Sequence, residues 1–155
     1  MISEFEGLSE AEVKLMNKAP ILVVALIGGA DGKIDNKELN KAVDLVSLKQ
    51  SRARPTLVEY YKAIATDFEK NLREFVVNLA TGSAEDNVAN MTQELEQVNP
   101  ILAKIDNRFA VSFYASMKDI AKQVAEASGG FLGYGRMGYE ETKAARLEML
   151  NDPAK

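Results

Sequence analysis

A chain of 155 residues with 46% apolar content can bury the core of one domain, and a formal charge of −4, from 19 basic and 23 acidic side chains, lacks the basic footprint of a nucleic-acid binder. Cysteine and histidine are both absent. That excludes disulfides, thiolate and imidazole metal ligands, and every Ser-His or Cys-His nucleophile pair, so any bound metal must be held by oxygen.

The first residues, Met1 to Glu6, are acidic and lack the basic start of a secretory signal. Ser9 followed by Glu12 has the spacing of a capping box and predicts a helix from about Glu10 to Asn17, with Val13 and Met16 inward. Pro20 suits the first turn of a second helix, where its missing N–H is no loss. The unbroken run Ile21-Leu22-Val23-Val24-Ala25-Leu26-Ile27 is apolar on every face, which predicts burial on every side. It is far shorter than the ~20 residues that span a bilayer. A cytoplasmic protein without membrane insertion is the expectation.

Asp35 and Glu38 repeat the capping-box spacing and open the next helix, with Leu39, Ala42, Val43 and Val46 on its buried face and an end before Pro55. Lys49, Arg52 and Arg54 fall near its C-terminus, where cations suit the helix dipole. From Thr56, the series Leu57, Tyr61, Ile64, Phe68, Leu72, Phe75 and Leu79 recurs every three or four residues, as one long helix or as two broken at Thr66-Asp67. Thr81-Gly82-Ser83 stops it, and Ser83 with Asp86 starts another helix that carries Val88, Met91, Leu95 and Val98 to Asn99-Pro100. Pro100 restarts the pattern through Leu102, Ile105, Phe109, Phe113, Ile120 and Val124, as one helix or as two interrupted at Asp106-Asn107, with Gly129-Gly130 as its C-cap. A last helix is predicted over about Tyr139 to Leu150, with Ala144, Leu147 and Leu150 inward, ahead of a frayed tail from Asn151 to Lys155. No stretch alternates with period two. The expectation is an all-α single domain over residues 1–155 with seven to nine helices: an N-terminal helix and arm to residue 19, a core from 20 to 150, and the tail.

The chemistry-bearing stretch joins the second and third predicted helices, where Asp31, Asp35 and Glu38 bring three carboxylates together within eight residues. Set against a calcium-binding EF-hand loop, Asp31, Gly32, Lys33, Asp35 and Glu38 take positions five, six, seven, nine and twelve. Positions one and three are Ile27 and Gly29, which have no side-chain oxygen, so a complete calcium cage cannot form from this loop alone. Two readings stay open. Either Asp31 caps the turn while Asp35 and Glu38 cap a helix, or the acids form a solvent-accessible site that binds Ca2+ or Mg2+ weakly, with waters completing the shell.

The stretch Ala25-Leu26-Ile27-Gly28-Gly29-Ala30-Asp31-Gly32-Lys33-Ile34-Asp35-Asn36-Lys37-Glu38 resembles the "A-D-G-x-I-x-x-x-E" motif of tellurite-resistance TerB-like domains. A second stretch, Ala127-Ser128-Gly129-Gly130-Phe131-Leu132-Gly133-Tyr134-Gly135 followed by Glu140-Glu141, resembles that family's C-terminal "S-G-G-F-L-G-F-G … E-E" element. The resemblance, spanning about Pro20 to Leu150, implies an all-helical fold of two related halves. It further implies an acidic cluster proposed to bind a divalent cation and a role in tellurite or general stress resistance. Asp31 and Glu38 carry over as motif acids of the first element and Glu141 of the second, whereas Asp35 rests on spacing. The second element also reads as a degenerate copy of the first, with Ser128 at the place of Asp31 and Glu141 at that of Glu38. For Glu141 alone, favouring the N-terminal dipole of a last helix is the reading set ahead of a place in the site.

Gly133-Tyr134-Gly135-Arg136-Met137-Gly138 satisfies G-x-G-x-x-G, but it follows a predicted helix and leaves no room for a ribose-binding acid about twenty residues on, so it is no dinucleotide site. A non-enzymatic domain with protein partners, or a homo-oligomer, is expected. The rival is a purely structural or oligomeric helical module without a metal.

Overall fold

A computed structural model describes residues 2–127 and 146–155. A 3-10 turn, Ser3–Phe5, precedes α1 (Glu10–Gly28), α2 (Asn36–Arg52), α3 (Pro55–Ala65), α4 (Phe68–Leu79), α5 (Ala84–Glu96), α6 (Val98–Leu102) and α7 (Asn107–Ala127). The described residues contain no strand, as period-3.6 stripes throughout require. None of their helices is long and apolar enough to cross a membrane.

The capping box at α1 forms as the spacing predicts. The Ser9 hydroxyl accepts from the Glu12 N–H at 3.2 Å, and the Ser9 N–H donates to the Glu12 carboxylate at 2.9 Å. α1 then runs through Pro20 without a break, where two helices were expected. Proline inside a helix withholds the N–H that would pair with the carbonyl four residues back, here that of Met16. The fully buried Tyr60 of α3 supplies the missing donor, its hydroxyl reaching the Met16 carbonyl at 2.7 Å. A tertiary contact thus repairs what proline breaks. Tyr60→Phe is expected to leave that buried carbonyl unpaired and to cost about 1 to 3 kcal/mol in urea denaturation. In a Pro20→Ala background, where an N–H returns to the helix, the same change will cost less.

The second half of α1 is the centre of the molecule. Leu22, Val23, Val24 and Ala25 are fully buried, Ile21 and Leu26 nearly so, and Ile27 partly. They pack against α4, α5, α6 and α7, while α2 packs on α3 and α7. Around Tyr60 the rings of Phe5, Tyr61, Phe109 and Phe113 meet edge to face at centroid distances of 5.1 to 6.1 Å, in the arrangement that opposes ring edges to ring faces.

The apolar series from Leu57 to Leu79 divides into α3 and α4 at Thr66-Asp67. Ser83 caps α5 through the Asp86 N–H at 3.1 Å. Pro100 does not separate two helices as expected. It lies in the first turn of the short α6, where a backbone N–H has no helical partner to lose. Of the predicted last helix, residues 139–145 lie outside the described residues. Residues 146–149 form turns instead of helix, with Leu147 at a φ of 54°. Leu147 and Leu150 are buried as the pattern requires, but the tail does not fray at its start, since the Asn151 N–H donates to the Asn99 side chain.

Candidate functional site

The acidic residues sit where α1 hands over to α2. Asp31 Oδ1 accepts the Lys33 N–H at 3.0 Å, and Asp35, the N-cap of α2, accepts the Lys37 N–H at 2.7 Å. Both are exposed, and each bond satisfies a backbone donor at a turn or helix start. Glu38 departs from the capping-box expectation. Its side chain folds inward instead of reaching back to the Asp35 N–H, and only 8% of the residue remains exposed.

Room for that carboxylate exists because position 28 is glycine. A Cβ there would stand 1.8 Å from Glu38 Oε2, so the carboxylate lies directly on the backbone at the end of α1. Among the described residues, no donor or cation pairs with it, and no side-chain oxygen or nitrogen is both sealed from water and without a hydrogen-bond partner. Burial first, and then the negative charges of Asp35 and Asp31, push its pKa up to about 7. Near neutral pH the turn therefore holds two exposed carboxylates and a third, inward one that carries a proton about half the time.

The turn is pinned from the far side. Gly32 takes a φ of 88°, and a Cβ on it would lie 2.4 Å from the Ala80 Cα, so glycine is required both by the backbone angle and by contact with the end of α4. The buried Asn87 side chain donates to the Ala30 and Leu79 carbonyls, each at 2.7 Å, and so joins the turn, α4 and α5. Sequence reasoning missed Asn87. Its position four residues before Met91 and eight before Leu95 places it on the buried stripe of α5, and a polar residue on such a stripe signals a buried hydrogen bond.

Asp31, Asp35 and Glu38 thus share one turn, with their charges felt at Glu38. Glu141 lies outside the described residues. As the side chains stand, no three acids among the described residues are grouped as the donors of one ion.

A second polar group lies between α2, α3 and α7. Lys49, expected only to complement a helix dipole, reaches Asp119 at 3.0 Å and stands over the Tyr61 ring, whose hydroxyl pairs with Ser116. Burial opposes ionisation of Asp119, but hydrogen bonds from Gln123 and Lys49 prevail and hold its carboxyl below the usual range. Burial also raises the Tyr61 phenol, which keeps it neutral. Charge and hydroxyl are spent on one another, so this group fastens helices. An open groove at the start of α3, lined by Ile2, Glu4, Thr56, Glu59 and Lys62 among others, contains none of the turn acids.

No family model, curated protein or solved structure matches the chain.

Proposed function

We propose that this chain is a non-enzymatic helical domain of the TerB-like kind, built of two related halves, whose acidic turn takes up Ca2+ or Mg2+ weakly and signals it to protein partners in a stress response within the cytoplasm. The observation that carries the reading is Glu38: an inward carboxyl beside two further acids, with no cation or donor paired to it among the described residues. A hard divalent ion relieves that repulsion and draws only on oxygen, the one ligand type the composition offers. The residues fit such an ion on one condition. Asp31 and Asp35 must give up their bonds to backbone N–H groups and swing toward Glu38, with waters filling the remaining positions. That rearrangement, together with the lack of further side-chain oxygens in the loop, places affinity near the ~0.1 to 1 mM end of calcium sites.

A second reading is favoured by those same bonds: Asp31 and Asp35 act as caps, and the domain is a structural or oligomeric helical module. Calcium and magnesium titrations followed by calorimetry and amide NMR separate the two. The proposal expects saturable shifts confined to residues 28–38 and their neighbours on α4 and α5, abolished by the double change Asp31→Asn, Glu38→Gln. Flat titrations to ~10 mM, an order above the expected constant, would leave the acids as caps.

A further inference from the structure

The end of α1 holds a second set of oxygens beside the turn acids. Ala25 and Gly29 give their carbonyls to the Gly29 and Gly32 N–H groups, at 2.8 and 3.0 Å, and Ala30 gives its own to Asn87. The carbonyls of Leu26, Ile27 and Gly28 accept from no donor among the described residues. Such orphan carbonyls make the C-terminus of a helix its negative pole, and a lysine or arginine in the last turn suits it. The last turn of α1 carries no basic residue. What lies against it is Glu38, 8% exposed and itself without a partner. Two kinds of acceptor thus meet with no donor between them.

They meet within reach of one ion. Glu38 Oε2 stands 1.8 Å from the place of a Cβ on Gly28. One further bond to the Cα and the fixed geometry of the peptide put it within about 6 Å of the Gly28 carbonyl oxygen. A calcium ion, about 2.3 to 2.6 Å from each oxygen it binds, joins a pair up to about 5 Å apart, and rotation of the glutamate side chain covers the difference. The unpartnered carboxylate is not sealed from water, so an ion can reach it.

We propose that the cation of the turn is calcium and that it sits on the end of α1, held from the protein side by Glu38 and the Gly28 carbonyl and from the solvent side by Asp31 and Asp35. This donor set rests on the reading of the turn as a cation site. Calcium accepts neutral carbonyl oxygens in a pliable shell, whereas magnesium gives up water reluctantly and demands a near-ideal octahedron. Gly28 is the positioning residue. A Cβ there takes the place of the carboxylate and turns Glu38 out to water, away from the carbonyls.

Calcium and magnesium titrations of the full chain and of its Gly28→Ala variant by calorimetry, with carbonyl-13C NMR of the parent, test the seat. Gly28→Ala is expected to fold, since its Cβ meets only the tip of a flexible side chain and alanine suits a helix better than glycine. It keeps all three acids, yet calcium is expected to bind it at least about tenfold more weakly, the scale on which positioning residues act on metal affinity. In the parent, calcium is expected to shift the backbone carbonyls of residues 26–28 most, and magnesium to bind at least about tenfold more weakly than calcium. Gly28→Ala binding calcium as tightly as the parent would mean that outward acids alone hold the ion, and overturns the seat. Unmoved carbonyls at 26–28 beside a saturable titration overturn it equally and need no variant. Magnesium binding as tightly as calcium overturns the choice of ion. A parent chain that takes up neither ion to ~10 mM removes the cation reading itself, and the seat with it.

Discussion

Leu22→Asp is expected to leave the chain unfolded in water at room temperature. Leu22 is fully buried at the middle of α1, the helix that meets α4, α5, α6 and α7. Truncating a core leucine alone costs about 2 to 5 kcal/mol. A carboxylate placed there finds no donor, and an unpaired buried charge adds several more. A domain of this size holds only about 5 to 15 kcal/mol in total, so the sum meets or exceeds the whole. Leu22→Met, which conserves volume, is expected to cost less than about 1.5 kcal/mol. Leu26→Asp, at the end of the same run and 7% exposed, is expected to fall between them, because its carboxylate can lean toward water. Far-UV circular dichroism and urea melts of the three variants give the ranking. A Leu22→Asp chain that melts within a degree or two of the parent would show α1 to be peripheral.

Stability is expected to fall as pH rises from about 4.5 to about 7, the reverse of what a paired carboxylate produces. The cause is Glu38, whose folded pKa of about 7 lies above its ordinary value of 4.5. Below that lower value the group is protonated in both folded and unfolded chain and contributes no slope. Between the two values the folded chain keeps a proton that the unfolded chain releases, so raising pH favours unfolding. Above the upper value the penalty is complete. One pKa unit corresponds to 1.36 kcal/mol, which bounds the loss across this window at about 3 kcal/mol, and water at the carboxylate oxygens reduces it toward about 2. Glu12, held down by the Lys104 ammonium, and Asp119, held down by Gln123 and Lys49, tilt stability the other way, but only as pH falls through their lowered values. The two windows therefore separate. Glu38→Gln is expected to be more stable than the parent at pH 8, to match it near pH 4, and to lack the decline between. Urea denaturation at half-unit pH steps, with a chelator present to exclude divalent ions, measures it. A Glu38→Gln chain less stable than the parent at pH 8 would mean that the ionised carboxylate is welcome where it lies.

Much of the helical framework was legible in residue order because its causes are local. Ser9 and Glu12, Asp35 at the head of α2, and Ser83 with Asp86 act across two or three residues, and the stripe from Leu57 to Leu79 repeats at the pitch of a helix. The all-round apolar run from Ile21 to Leu26 could be satisfied only by surrounding it. What residue order left undecided depended on groups far apart in the chain. How the helix carries Pro20 depends on Tyr60, forty residues on, whose hydroxyl takes up the Met16 carbonyl that proline leaves without a donor. At the acidic turn, the spacing of Asp35 and Glu38 suits a capping box equally well in isolation. The space at Gly28 and the burial supplied by neighbouring elements draw Glu38 inward instead and leave an unpaired acid where a routine cap was expected. The glycine at position 32 was readable as a turn, but the reason no other residue serves there is the Ala80 backbone against it. Hydrogen-bond caps and helical periodicity are properties of a few adjacent residues, so the sequence determined the helices. Desolvation and the meeting of distant polar groups come into being only on packing, so the tertiary structure alone decided how the acids of the turn are used.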